Sequence, residues 1–149
     1  TGGVSQGAAE VVRQVLDEFG EFVHLAMRPG GPQGSAVWRQ TPVFCLPGTP
    51  AGAFVGAHVL IRPVLAAWSG TAVPGPTRAS WLGSTRTFRT GHTHFVTAHL
   101  DLSATSGPAV QDVPGRAMRA LASADAIVEV GPELRELHDG DRVPVWRLR

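Results

Sequence analysis

The sequence has 149 residues, enough for one ordinary domain or two small units that share a core. Its 13 cationic side chains against 12 acidic ones leave a net charge of +1, which excludes the basic surface of a typical nucleic-acid-binding protein. A hydrophobic share of 43% excludes wholesale disorder, and 18 glycines with 12 prolines predict a chain rich in turns rather than a helical bundle.

The N-terminal segment predicts a glycine loop followed by an amphipathic helix. Three glycines fall within Thr1–Gly7, and the helix is expected over Ala8–Phe19, ended by Gly20. Its apolar residues recur at helical spacing on one face: Val11, Val12, Val15, Leu16 and Phe19.

The next segment alternates strands and turns before a long apolar helix. A strand is predicted over Glu21–Arg28, ended by the turn Pro29–Pro32. A hairpin-like pair, Ala36–Trp38 and Pro42–Leu46, surrounds the turn Arg39–Thr41. This order of strand, glycine-proline turn and helix is typical of an α/β layer.

The long helix is expected to begin at Pro50, with Thr49 as its N-cap, and to run from Ala51 to about Trp68. Apolar residues on most sides predict burial on more than one face, and Pro63 should kink it. His58, Arg62 and Pro63 interrupt the apolar stretch, so we do not interpret it as a membrane span.

A boundary is predicted at Ser69–Thr77, because this stretch is rich in glycine and proline. The domains are then 1–70 (α/β), a linker 71–77, and 78–149, a small β-barrel or sandwich with one brief helix, Arg116–Ala122. The short strands predicted there are Arg78–Trp81, Arg86–Arg89, His94–Asp101, Ala109–Val113, Ala126–Val130 and Arg142–Leu148.

The lysine, histidine and cysteine content of the chain argues against several classes of functional site. A chain without lysine cannot carry a phosphate-loop or Schiff-base lysine. His92 and His94 share one strand face but His99 has the wrong parity, so a zinc site lacks a third ligand. The single cysteine, Cys45, suits a reducing compartment, and a cytoplasmic location is expected, since no signal peptide is visible. The chain starts without Met in a glycine turn, which predicts that upstream sequence is missing.

Two helix starts and one carboxylate are the candidates for chemistry. The loop Gly2–Gly7 could bring backbone N–H groups to a phosphate, or could be a plain tight turn. The segment Leu46–Pro50 could form a second wall of the same crevice, or simply cap its helix. Glu10 could contact Mg²⁺ or a polar substrate, or could only balance the helix dipole.

Taken together in chain order, these motifs resemble a known family. TGGVSQG before a helix, a strand ending RPGGP, the turn LPGTP before an apolar helix, and a β-module ending DGDRVPVWRL are similar to the C-terminal part of the MoeA/gephyrin-E family of molybdopterin molybdenumtransferases. That family usually shows TGGVSxGxxD, RPGKP and LPGNP. The resemblance implies a partial three-layer molybdopterin-binding α/β domain followed by a small all-β barrel-like domain.

The resemblance also implies an activity and a site. The resemblance implies an enzyme that inserts molybdate into adenylylated molybdopterin in the presence of Mg²⁺, releases AMP and mature cofactor, and works as a homodimer. From the charge and the interrupted apolar stretch, neither nucleic acid nor a membrane is expected as a partner. On matching positions, substrate would be bound by Gly2, Gly3, Ser5, Gly7, Arg28, Pro47, Gly48 and Pro50, and Glu10 would be the catalytic and metal-binding acid.

Departures from the family pattern support an alternative, a non-catalytic molybdopterin-binding or scaffold module. Gly31 replaces a lysine, Thr49 an asparagine and Gly52 a serine, while His92 and Thr97 stand near two family arginines. The family also carries a long N-terminal portion that this chain lacks. A parallel sheet reduced to a few strands would expose apolar surface, so we expect the piece to belong to a longer parent or to pack against another chain.

Overall fold

The computed structural model describes residues 1–5, 10–72, 75–113 and 118–148. These form two compact units, Thr1–Thr71 and Ala72–Arg149. The class is mixed α/β with a β-barrel in the second unit, as the sequence predicts.

The first unit contains a three-stranded antiparallel sheet in the order β1-β3-β4. Phe22 lies opposite Gly34, and Ala36 lies opposite Val43. The strands of the sheet are β1 (Gly20–His24), β3 (Pro32–Trp38) and β4 (Thr41–Cys45), and the short strand β2 (Met27–Arg28) lies outside it. The expectation of parallel pairing is therefore wrong for this sheet, because a hairpin and a tight return connect its strands.

The first helix is shorter than predicted. Helix α1 covers Val11–Leu16 and a 3-10 turn continues over Asp17–Phe19, while the predicted start at residues 8–9 lies outside the described residues. Gly20 is not a left-handed helix stop: its φ is −172° and it opens β1. A Cβ at this position would lie 2.0 Å from the carbonyl oxygen of Ser35, so close pairing with β3 requires glycine.

The strand predicted over Glu21–Arg28 is broken into β1 and β2. Between them, the N–H of Leu25 donates to the carbonyl of Gly31 at 2.8 Å, which turns the chain around the Pro29–Pro32 segment. The predicted hairpin is present as β3 and β4. It closes through Arg39 and Gln40, both with positive φ (47° and 66°), the geometry of a two-residue hairpin turn.

The long helix begins as predicted, with Thr49 at the N-cap and Pro50 first, although Thr49 makes no side-chain cap hydrogen bond. It consists of α2 (Pro50–Gly56), a π-helical segment (Ala57–Ile61) and α3 (Arg62–Ser69). The N–H of Arg62 donates to the carbonyl of Ala57, five residues back. The irregularity predicted at Pro63 is thus a widened turn immediately before the proline.

The helices of this unit bury less surface than their apolar composition predicts. Side chains of the long helix remain exposed, Leu65 by 51% and Trp68 by 60%, so burial on more than one face is wrong for this chain. On α1, Val11 and Val15 are exposed by 66% and 52%. By length and composition alone Pro50–Ser69 could cross a membrane, a test that core helices of soluble proteins also pass.

The second unit is built on a closed ring of five strands. Its elements are β5 (Thr77–Leu82), β6 (Arg86–Thr87), β7 (Thr93–Asp101), β8 (Ala109–Asp112), α4 (Met118–Ser123), β9 (Ala126–Val130), β10 (Glu136–Leu137) and β11 (Arg142–Arg147). Around the ring, β7 pairs with β8, β8 with β5, β5 with β11, β11 with β9, and β9 again with β7. Within the ring, only the β5–β8 pairing is parallel.

The barrel interior is filled by one compact cluster. Trp81, Leu137 and Val128 are nearly inaccessible, and small residues such as Ala79 and Ala98 let the sheet curve around them. The predicted strands recur here with ends shifted by a few residues, β10 is an addition, and β5 begins at Thr77 inside the predicted linker. Residues 116–117 of the predicted helix lie outside the described residues.

Candidate functional site

The two predicted bends line one hollow in the first unit. Its volume is about 300 Å³, within the range of small-ligand pockets. One wall is the glycine loop and the facing wall is the segment before the long helix. The lining residues are Gly2, Gly3, Val4, Ser5, Glu10, Gly30, Pro32, Pro47, Gly48 and Thr49.

A direct backbone contact joins the two bends. The N–H of Gly2 donates to the carbonyl of Leu46 at 2.9 Å. A Cβ on Gly48 would lie 3.2 Å from the Cα of Gly2, and Gly2 itself has a φ of +90°. Both positions therefore favour glycine, one for close approach and the other for conformation.

The glycine loop is also tied to helix α1. The carbonyl of Gly3 accepts a hydrogen bond from the N–H of Arg13 at 2.9 Å. Gly3 has a φ of +67°, and a Cβ there would lie 3.0 Å from the side chain of Val12. The hydrogen bond fixes the described part of the loop, residues 1–5, against the first turn of α1 through backbone atoms.

Glu10 supplies the carboxylate of the hollow. It is the N-cap residue of α1, one position before the helical turn in which the sequence places it. Its carboxylate accepts a hydrogen bond from the hydroxyl of Ser5, across the bend. Glu10 is the one charged side chain among the described lining residues, so the chain itself offers this hollow negative charge.

A third wall comes from the Pro29–Pro32 turn, where Gly30 and Pro32 line the hollow. Gly30 has a φ of +104°, and a Cβ on it would lie 3.3 Å from the carbonyl oxygen of Gly52 in α2. Neither Gly30 nor Pro32 is predicted as a site residue. The available signal is the PGGP motif, which is typical of a tight return between strands.

Other predicted site residues lie elsewhere. Arg28 is exposed at the end of β2 and is not among the lining residues. Pro50 starts the helix just behind the wall formed by Pro47 and Gly48. Gly7 lies outside the described residues. At Gly31, where the family motif has a lysine, the imidazole of His24 takes the space: its Nε2 lies 2.6 Å from the position of a Cβ.

The histidines of the second unit have separate neighbours. His94 Nε2 lies 2.8 Å from the carbonyl oxygen of Arg89, and His99 Nδ1 lies 3.8 Å from Asp125. The Nδ1 atom of His92 is buried and makes no hydrogen bond with the described residues. Within the described ranges, no group of three or more His, Cys, Asp or Glu side chains could hold a metal ion.

Comparison with known proteins agrees with the motifs around the hollow. Residues 1–67 match the family described as a probable molybdopterin binding domain. Molybdopterin molybdenumtransferase 2 of Mycobacterium tuberculosis is 36% identical over 157 aligned positions, which cover 99% of this chain. Over nearly its whole length, this chain is similar to part of a molybdopterin molybdenumtransferase.

Two further comparisons show the same similarity. Molybdopterin molybdenumtransferase 1 of M. tuberculosis is 44% identical over 68 positions, 43% of this chain and 16% of that protein. The crystal structure of the molybdopterin biosynthesis MoeA protein of Pyrococcus horikoshii superposes with a TM-score of 0.75 at 25% identity, covering 96% of this chain and 36% of that one. The chain spans 39% of the length of molybdopterin molybdenumtransferase 2.

Proposed function

We propose that the protein acts in molybdenum cofactor biosynthesis as a molybdopterin molybdenumtransferase. It would bind adenylylated molybdopterin, insert molybdate, and release AMP with the mature cofactor. The observation that supports this best is the shared hollow, because the two motifs that resemble the family meet there in space. Since the chain spans 39% of a relative's length, the proposal concerns the full-length protein.

The walls of the hollow suit a ligand that approaches the backbone closely. Gly2, Gly3, Gly30 and Gly48 contribute no side chains, and prolines stiffen two of the three wall segments. Such a surface accommodates a flat or phosphorylated group without first displacing flexible side chains, so little ordering entropy opposes binding.

The described lining of the hollow lacks positive charge. A phosphate or molybdate oxyanion would face the carboxylate of Glu10, and no described lining residue carries a positive charge. The missing positive charge must come from a bound cation or from residues beyond this chain. Mg²⁺ fits this need, because it commonly takes one or two carboxylates together with phosphate oxygens. Glu10 is the residue that would hold it.

The assigned roles follow from these contacts. Ser5 donates to Glu10 and holds the carboxylate against the glycine loop. Gly2, Gly3, Pro47 and Gly48 shape the pocket for the pterin phosphate. Mg²⁺, when bound, would neutralise charge between the carboxylate and the ligand oxygens. Arg28, being outside the hollow, would act only if the full-length protein brings substrate across the end of β2.

Calorimetric titration of the full-length protein with adenylylated molybdopterin, with and without Mg²⁺, tests the proposal. We expect binding that Mg²⁺ strengthens. Glu10→Gln should remove the Mg²⁺-dependent gain, about tenfold in affinity for a contact of roughly 1.4 kcal/mol. Glu18→Gln, an exposed acid in the 3-10 turn, is the matched control and should behave as wild type. Failure of the wild-type protein to bind would remove the proposal.

A non-catalytic binding or scaffold module is the second candidate. The observation that favours it is the loss of cations near the hollow: Gly31 has no side chain, and Arg28 does not line the pocket. Complementation of a molybdenumtransferase-deficient strain by the full-length gene separates the two. Rescue supports the enzyme, whereas failure with retained pterin binding supports the module.

The proposal extends to assembly and location. A second copy of the protein could supply the positive charge that this hollow lacks, as in the homodimer implied by the resemblance. We also propose a cytoplasmic, reducing location, which suits the buried free thiol of Cys45. Sedimentation of the full-length protein tests the dimer, and localisation of a tagged copy tests the compartment.

A further inference from the structure

One buried polar side chain lies directly behind a wall of the hollow. Gln33, on β3, is 6% exposed and is the one polar side chain in the described chain that is so buried. Its Nε2 donates a hydrogen bond of 2.7 Å to the carbonyl oxygen of Gly30. A buried amide in an apolar setting is costly unless it is paired, so this bond must offset the loss of water contacts.

The space around Gln33 is created by glycines. A Cβ on Gly56, in α2, would lie 3.2 Å from Nε2 of Gln33 and 2.8 Å from Leu46. A Cβ on Gly30 would lie 3.5 Å from the same Nε2 and 3.4 Å from Met27. The amide is therefore confined between the helix and the Pro29–Pro32 turn, with little freedom to choose another partner.

The residue that accepts this hydrogen bond faces the ligand space. Gly30 lines the hollow and has a φ of +104°, a conformation available chiefly to glycine. A glycine is also the residue least restrained by its own side chain, so its peptide plane must be fixed from outside. The hydrogen bond from Gln33 does this at the Gly30 carbonyl, and the N–H of Leu25 holds the following peptide through the carbonyl of Gly31 at 2.8 Å.

We infer that Gln33 is a positioning residue of the candidate site: it sets the orientation of the Gly30 wall and acts on ligand binding through that wall. The side chain of Gln33 does not line the hollow. It borders instead a second, mostly apolar cavity of about 170 Å³ between the sheet and the long helix, lined also by Phe44 and Leu60. The identity of the ligand rests on the proposed function, but the effect on the turn does not.

A residue that merely filled space would behave differently. Gln33→Met keeps the length of the side chain but removes its amide, which leaves the Gly30 carbonyl without this donor. Gln33→Asn keeps the amide but shortens its reach by one methylene. Val55→Ala is the matched control, because Val55 is 1% exposed in the same unit and does not line the hollow. It should lower the Tm without acting on the turn.

Two measurements on the full-length protein test the inference. In the free protein, hydrogen exchange of the Leu25 amide, which reports the Gly31 contact, should accelerate at least tenfold in Gln33→Met while the β3–β4 hairpin amides keep their rates. With AMP as the probe, affinity should fall at least fivefold in Gln33→Met and in Gln33→Asn. Val55→Ala should change neither the Leu25 exchange nor the affinity for AMP.

The outcomes separate the two proposals. Turn exchange and AMP affinity equal to those of Val55→Ala at matched Tm would overturn the role of Gln33 and make it a core residue only. If the wild-type protein binds no AMP, the proposed function loses support, and the exchange of the Leu25 amide decides the role of Gln33. If Gln33→Met does not fold, Gln33→Asn carries both measurements.

Discussion

Gly48 shows how a single atom position limits the candidate site. A Cβ at Gly48 would lie 3.2 Å from the Cα of Gly2, so alanine pushes the two bends apart. Extra methyl groups in tight packing typically cost about 1–3 kcal/mol. We expect Gly48→Ala to lower the Tm and to weaken ligand binding about tenfold, measured by thermal melting and calorimetry.

The control for this prediction is Gly75→Ala. Gly75 has open space around it and no positive φ, so alanine there should leave both Tm and affinity unchanged. Equal behaviour of Gly48→Ala and Gly75→Ala would show that the bends tolerate separation, and that the hollow is less rigid than its contacts indicate.

His58 on the long helix makes the fold sensitive to acid. Burial lowers the pKa of His58 below its ordinary 6.5, and the nearby Arg62 lowers it further. Its Nδ1 is buried and makes no hydrogen bond with the described residues, and the centroid of the tilted Phe54 ring lies 4.7 Å from that of the imidazole. As the pH falls below 6.5 the unfolded chain takes up this proton more readily than the folded one, so stability decreases.

Urea unfolding at pH 7.5 and pH 5.5 measures this effect. We expect the unfolding midpoint of the wild-type protein to drop on acidification, and His58→Leu to show a smaller drop. His138→Gln, which alters an exposed imidazole beside Glu136 and Asp141, should retain the wild-type drop. An identical pH response in His58→Leu and wild type would place the acid sensitivity elsewhere.

Some residues of the candidate site could be predicted from the sequence and others could not. The glycine loop and Pro47–Gly48 could be, because each motif precedes a helix and helix starts in one layer tend to meet at one crevice. Gly30 and Pro32 could not, since their place depends on the register by which β3 returns beside β1. The family motif predicts Arg28 as a site residue, whereas its exposure depends on the same return of the chain.

At the scale of elements, the hairpin turn of the first unit is strained because its two turn residues have positive φ and are not glycine. Arg39 and Gln40 both have positive φ, which costs about 1–2 kcal/mol for each residue other than glycine. Gln40→Gly should therefore raise the stability by about 1 kcal/mol, as Asn-Gly pairs do in such turns. Chemical denaturation measures it. Gly70, already glycine in the left-handed region, offers the reverse control: Gly70→Ala should destabilise.

The long helix shows why the internal geometry of an element cannot be predicted from a sequence pattern. Pro63 predicts an interruption, since it has no N–H to donate. The position of the interruption depends on the path of the backbone. The N–H of Arg62 donates to the carbonyl of Ala57, so the widened turn lies before the proline. Helix existence and start were predictable from Thr49 and Pro50, whereas this internal geometry was not.

At the scale of the whole molecule, apolar residues of the first unit lie exposed. Val11, Val15 and Trp68 are 66%, 52% and 60% exposed, although α1 and the long helix have the composition of core helices. The pattern of apolar residues follows from the sequence, but the burial predicted for the long helix is wrong, because burial depends on what packs against these residues. Exposed apolar side chains of this kind are available to pack against further protein.

The chain on its own should therefore self-associate. We expect sedimentation at micromolar concentration to show concentration-dependent assembly, since apolar surface drives association. Val15→Glu should reduce this assembly, while Gln14→Glu, on an exposed neighbouring position of α1, should not. A monodisperse monomer with transferase activity would contradict both the exposure argument and the need for further chain.

The barrel of the second unit illustrates a dependence on synthesis order. Strand β11 joins β5 to β9, so it inserts between partners made about 65 and 15 residues earlier. Until Arg142–Arg147 leaves the ribosome, the ring stays open and the cluster around Trp81 and Val128 lacks a wall. The hairpin of the first unit pairs strands that are close in sequence, so it needs no segment that is made much later. Domains generally fold as they emerge from the ribosome. A translation pause or truncation before Arg142 would thus leave a nascent chain with its first part structured and its second part a target for chaperones.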